Sequence, residues 1–265
     1  MIKFLITASI VYVALVAFMY LKQRSFIYFP DKTAPVNQYG AEIVEIETND
    51  GLKLRSWYFK ARDPTKPTLL YFHGNAGHYG YRIYKASPYI DNGYGVLLAE
   101  YRGYGGNAGD PSEDAFYKDG RLYLQWLLDK GLSEDNIILY GESIGSGTAT
   151  QLASEVDAKA LILETPFSSL VDVASSIYFF MPVSLLLKDR YMNIDKIDQI
   201  NMPLLILHGH EDGTIPFKFA QKLYDKAQQP KEFIEFKSGN HNNLYEYGAA
   251  LKILEFMNSL EELNP

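Results

Sequence analysis

The chain has 265 residues, of which 47% are hydrophobic and 22% charged, and its net charge is −7. This excludes a disordered chain, and the acidic balance speaks against a nucleic-acid partner, which needs a basic face. There is no cysteine, so disulfides, thiolate metal centres and cysteine nucleophiles are excluded and covalent chemistry rests on oxygen, nitrogen or a metal.

From Phe4 to Leu21 the chain is uncharged and apolar (FLITASIVYVALVAFMYL), enough for roughly 27 Å of helix at about 1.5 Å per residue. Lys3, Lys22 and Arg24 flank it, and Phe26 to Phe29 suit an interfacial aromatic belt. A single-pass membrane anchor at residues 1–22 is expected, with a juxtamembrane segment at 23–40 and one α/β domain at 41–265. The competing readings are a cleaved signal peptide and a buried core helix. The run is too long for a usual signal-peptide core, and no small-x-small cleavage site follows it. Basic residues nearly balance across the run, so the side of the membrane that carries the domain stays open.

Residues 41–48 and 52–59 alternate like strands around the Asn49-Asp50-Gly51 turn and predict an antiparallel hairpin. Beyond a proline-bearing loop, short apolar strands are expected at 68–72, 95–100, 136–140, 159–163, 203–207 and 233–236. Helical periods appear at 114–129, 144–155, 218–227 and 244–260. Wholly apolar strands alternating with helices predict a mostly parallel sheet covered on both faces. Residues 167–199 break the rhythm and read as a short helical cap.

Gly141-Glu142-Ser143-Ile144-Gly145 joins the apolar strand NIILY to a helix that begins with small residues. Glycines two before and two after a serine permit the sharp turn that presents a nucleophilic hydroxyl at a sheet's edge. A capping serine or a phosphate loop is the plainer reading, but neither a Walker lysine nor dinucleotide glycine spacing is present.

A serine nucleophile needs a base held by an acid, in the chain order Ser, Asp or Glu, His for such an elbow. His241, after the last strand, has the right position for the base. Asp212, after the strand PLLIL, is the expected acid, with Glu211 and Glu164 as rivals; Glu164 is equally suited to bracing the elbow. His73-Gly74-Asn75 follows the strand TLLYF, where an oxyanion hole takes its first amide. Its donors are expected to be the backbone N–H groups of Asn75 and Ile144. His73 reads as a structural side chain, and His78, His208 and His210 as loop or surface residues rather than metal ligands. Arg102 reads as a loop-orienting arginine paired with a carboxylate. In the cap, Phe179, Phe180, Met181 and Leu185 either pack the cap onto the body or wall an acyl groove.

With these pieces the chain resembles the membrane-anchored α/β-hydrolase-domain proteins of the Bem-like type, a group that includes protein depalmitoylases and lysophospholipid or monoacylglycerol lipases. The resemblance runs from about Gln23 to Leu260. It rests on QRSFIYFP at 23–30, YFHGNAG at 71–77, YRGYG at 101–105, DPSE at 110–113, the elbow, LETPFSS at 163–169, the segment 208–216 and GNHN at 239–242. Glu100, Glu142 and Asn243 depart from its usual residues and leave substrate preference open. The resemblance implies a serine hydrolase with Ser143 as nucleophile, Asp212 as acid and His241 as base. The expected reaction is cleavage of a carboxylic ester or thioester of a lipid or acylated protein, and this chemistry needs no metal or organic cofactor. A serine peptidase of similar fold and a catalytically silent membrane-tethered binding module are the alternatives.

Overall fold

The computed structural model describes residues 1–37 and 39–262. Its first element is a 26-residue helix, α1 (Ile2–Ile27), long and apolar enough to cross a membrane by length and composition. The helix runs past the anchor boundary expected at residue 22, because its last turn has partners. Gln23, its one buried residue, donates through Nε2 to Leu186 O (3.3 Å) and accepts from Lys188 N (2.7 Å), and Arg24 grips Asp189 at 2.8 and 3.1 Å. Chain that would otherwise be a solvated link is thereby fixed as helix against the cap. Phe29 and Pro30 then pair in parallel with Ala76 and Gly77.

The hairpin strands are β1 (Glu42–Glu47) and β2 (Lys53–Phe59), with Thr48 closing the turn onto Leu52. Six further strands complete the sheet: β3 (Thr68–Phe72), β4 (Gly95–Ala99), β5 (Ile137–Glu142), β6 (Ala160–Glu164), β7 (Leu204–Gly209) and β8 (Lys231–Phe236). They lie in the order β8-β7-β6-β5-β3-β4-β2-β1, antiparallel only where β2 meets β1 and β4. Strands β3 to β7 are buried throughout, which is why they read as continuous apolar runs.

Successive residues on each strand feed opposite cores, Leu70, Phe72 and Leu139 on one side, Leu69, Tyr71 and Tyr140 on the other. The first core is covered by α3 (Glu113–Asp129), α4 (Gly145–Ala153) and α7 (Phe217–Lys226), the second by α2 (Ile83–Asp91) and α8 (Ala249–Glu262). Helix α2 holds Pro88 within it, which masks it from a sequence reading. The helical run expected from residue 244 is split by Gly248 at φ 89°, with a 3-10 turn before it and α8 after it. The cap consists of α5 (Leu170–Ile177), the short α6 (Val183–Leu186) and irregular chain up to residue 200.

Chain order reverses across β3, whose neighbours are β4 and β5. The loops leaving β3 and β5 therefore part to opposite faces and open a crevice at the carboxyl ends of the strands. The cap roofs this crevice.

Candidate active site

Ser143 lies at the β5–α4 junction with φ 53°, in the left-handed region that costs a non-glycine residue about 1–3 kcal/mol. The neighbourhood enforces it. Ser143 N donates to Glu164 O (2.9 Å), and Ser146 donates to Ser143 O through both its N (3.0 Å) and its Oγ (2.5 Å). A Cβ on Gly141 would meet Ser146 Cα at 2.6 Å, and one on Gly145 would collide with Phe72 O, so the glycines let α4 start against β3.

His241, in the loop after β8, puts Nε2 3.0 Å from Ser143 Oγ and Nδ1 2.7 Å from Asp212 Oδ2. Asp212, three residues beyond β7, accepts through Oδ1 from Thr214 N and Ile215 N, both at 2.8 Å. Burial pushes the Asp212 carboxyl up, but the hydrogen bond and charge of His241 and the Ile215 amide outweigh burial and hold it below its ordinary 3.8. His208 belongs here too, a correction to its reading as a loop or surface residue. It is fully buried, donates through Nε2 to Ile215 O (2.9 Å) and stands 3.3 Å from Asp212 Oδ2. Burial lowers its pKa, outweighing the Ile215 carbonyl and the Asp212 charge, which raise it. Its place inside an unbroken buried strand was the available signal.

Asn75 and Ile144 both line the cleft beside Ser143. The Asn75 side chain is tied to the end of the N-terminal helix. Its Oδ1 accepts from Phe29 N (3.1 Å) and Tyr104 Oη (2.9 Å), and its Nδ2 donates to Ile27 O. His73 is structural, with Nε2 2.6 Å from Glu100 Oε1 and Nδ1 2.7 Å from Gly74 O. Arg102 forms the carboxylate pair expected of it, with Asp119 at 2.6 and 2.8 Å.

Behind the elbow is a buried charged cluster that sequence reasoning missed, since two of its members lie on or beside the unforeseen α2. Glu142 meets Arg82 (2.9 Å), Lys85 (3.2 Å) and Tyr71 Oη (2.9 Å); Lys85 also meets Glu164 (2.6 Å), which Tyr140 Oη reaches as well. Burial pushes the Glu142 carboxyl up, but Arg82 and Lys85 overcome it and hold its pKa far below the ordinary 4.5. A depressed folded-state pKa gives stability that is present above the unfolded value and lost as pH falls through the folded one. Glu142→Gln leaves the buried Lys85 and the partly buried Arg82 with one carboxylate and is expected to cost about 3–5 kcal/mol. Urea midpoints measured from pH 7 down to pH 3 check both points: the parent loses stability toward acid, and the variant starts lower and slopes less.

The cleft above Ser143 holds about 480 Å³, within the roughly 300–1,000 Å³ usual for small-molecule sites. Of the four cap residues expected to wall a groove, Met181 lines it. Phe179, Phe180 and Leu185 lie outside it and are 84%, 46% and 83% exposed. The cap turns at residues 178–182, so neighbouring side chains splay to different sides of the turn. Other lining residues were not foreseen, including Val173, Ala174 and Ile177 of α5 and Met19 of α1.

A mostly parallel eight-stranded sheet with a serine elbow at its reversal point defines the α/β-hydrolase class. The chain belongs to this family. The model of the alpha/beta hydrolase fold matches residues 67–182. The human alpha/beta hydrolase domain-containing protein 17B is 32% identical over 228 residues, which are 82% of this chain and 75% of that protein. A lysophosphatidylserine lipase of Danio rerio is 32% identical over 209 residues, 69% of this chain and 54% of the lipase. Among solved structures, an esterase of Pyrococcus furiosus superposes with a TM-score of 0.70 at 19% identity, covering 87% of this chain and 98% of the esterase.

Proposed function

We propose that the protein is a membrane-tethered serine hydrolase that cleaves carboxylic esters or thioesters of long acyl chains, with residues 1–22 within the membrane and residues 41–265 as the catalytic unit. The observation that carries this reading is the continuous chain Ser143 Oγ, His241 and Asp212, with gaps of 3.0 and 2.7 Å, at the floor of a largely apolar cleft. The lipase among the relatives supports the acyl-ester class.

With its Nδ1 proton directed at Asp212, His241 presents an unprotonated Nε2 to Ser143 and takes its proton as Oγ attacks the acyl carbonyl. The negative oxygen of the tetrahedral intermediate is held by the amides of Asn75 and Ile144, where losing one donor costs about 10² to 10³ in rate. His241 then protonates the departing alcohol or thiol and leaves an acyl-serine. Water, deprotonated by the same imidazole, releases the acid and restores Ser143. Asp212 fixes the imidazole tautomer and stabilises its charged form.

An alkyl fluorophosphonate incubated with the full chain in detergent is expected to add once, on the peptide carrying Ser143, and a long-chain ester should slow the labelling. Folded protein that takes up no label, or takes it up at another residue, would overturn the reading.

A further inference from the structure

The cleft over Ser143 has two walls of different origin. The cap supplies one through Val173, Ala174, Ile177 and Met181; α1 supplies the other through Met19, Tyr20, Phe26 and Ile27. The helix is therefore part of the site and not merely a tether beside it. Its register against the cap is fixed at three levels: Tyr12 Oη donates to Phe180 O (2.9 Å), Arg24 grips Asp189, and Tyr28 Oη lies 3.0 Å from Tyr191 Oη.

These contacts set the depth of the cap. The cap meets the cationic end of the helix: Lys188 N donates to Gln23 Oε1, Arg24 grips Asp189, and Lys188 Nζ lies 4.4 Å from the centre of the Tyr20 ring. Cationic and aromatic groups together mark a membrane interface. Tyr12 stands roughly 18 Å along the helix from Arg24 at about 1.5 Å per residue, against about 15 Å for half of a bilayer core. With Arg24 at the interface, the cap tip bonded to Tyr12 would reach hydrocarbon depth. Phe179 and Leu185, 84% and 83% exposed, carry the outward apolar surface of α1, with Val11, Leu15 and Phe18 all exposed, onto the cap. Large apolar side chains left this exposed on both elements suit lipid and not water.

We propose that α1 and the cap jointly form an acyl-chain slot open to the leaflet, and that the chain of a bilayer-resident ester enters sideways between them to reach Ser143 without crossing water. The proposal rests on the serine-hydrolase reading and assigns chain-length selection to Met19 and Phe26 of the membrane helix.

The full chain, reconstituted in phosphatidylcholine vesicles, is assayed with nitrophenyl esters of two and sixteen carbons. Met19→Trp narrows the slot and is expected to lower the sixteen-to-two ratio of kcat/KM by about 10-fold or more, as one misfitting methylene-sized contact can. Phe26→Ala removes apolar contact from the same wall and should raise KM for the long ester more than for the short one. Val13→Trp, on the exposed side of the helix, is expected to keep the parent ratio. A ratio unmoved by both wall variants overturns the slot. Fluorophosphonate labelling reports separately on Ser143, so a failure of the hydrolase reading is told apart from a failure of the slot.

Depth is read without activity. The chain has no cysteine, so Leu185→Cys carries a single bimane label. Stronger quenching by a nitroxide deep on the acyl chain than by one at the headgroup is expected, and the reverse order overturns entry from the leaflet.

Discussion

Ser143→Ala is expected to lower kcat for a soluble short-chain ester by about 10⁶-fold, the scale found when the nucleophile of a serine triad is removed. The loss is that large because, in the proposed mechanism, the hydroxyl is the attacking atom that His241 deprotonates across 3.0 Å. A residual rate of about 10³ to 10⁴ over water should persist, since the amides of Asn75 and Ile144 and the cleft itself are untouched. The fold should tolerate the change. Alanine keeps the Cβ that Ser143 already carries at φ 53°, and the backbone bonds to Glu164 and Ser146 do not involve the lost oxygen. Denaturation midpoints and initial rates on the same preparation check this: a variant as stable as the parent that keeps more than a hundredth of its rate would remove Ser143 from the chemistry.

The elbow was legible because its determinants are local. Gly141 and Gly145 flank the serine, an apolar strand precedes it and a helix that begins with small residues follows it, all within one stretch of sequence. The hydrolase fold was legible for a related reason, since strands buried on both faces leave little choice but parallel crossovers. Relations between distant segments were hidden. Arg24 looks like one more basic flank until Asp189 is known to face it, and Gln23 has no sequence mark of a residue buried on the cap. In the short, turning cap, apolar residues have no period to assign a side. Met181 and its neighbour Phe180 therefore look equivalent in the sequence, and only the first faces the cleft. The ion cluster was invisible for want of α2: Arg82 and Lys85 lie one helical turn apart and converge on Glu142 only once that helix exists.

Asp212→Asn is expected to lower kcat by about 10⁴-fold with little change in KM, through the orientation of one amide. Oδ1 of Asp212 accepts two backbone N–H groups, from Thr214 and Ile215, each at 2.8 Å. An asparagine must keep its carbonyl oxygen there, since turning the amide would set two N–H donors against two others. Its NH₂ group then occupies the place of Oδ2 and faces His241 Nδ1, 2.7 Å away in the parent. The imidazole must now accept at Nδ1 and carry its proton on Nε2, so it has no lone pair for Ser143. The neighbouring carboxylates separate this effect from a general loss of charge. Glu211 is exposed in the same turn and Glu164 is committed to Lys85, so neither Glu211→Gln nor Glu164→Gln is expected to reach the tautomer. Because the folded-state pKa of Asp212 is depressed below 3.8, the parent keeps its carboxylate as pH falls toward 5, and Asp212 should not shape the acid limb of kcat/KM in that range. Rates of the three variants measured from pH 5 to 9 check the assignment. Asp212→Asn within tenfold of the parent, or Glu164→Gln falling as far as Asp212→Asn, would move the acid to another residue.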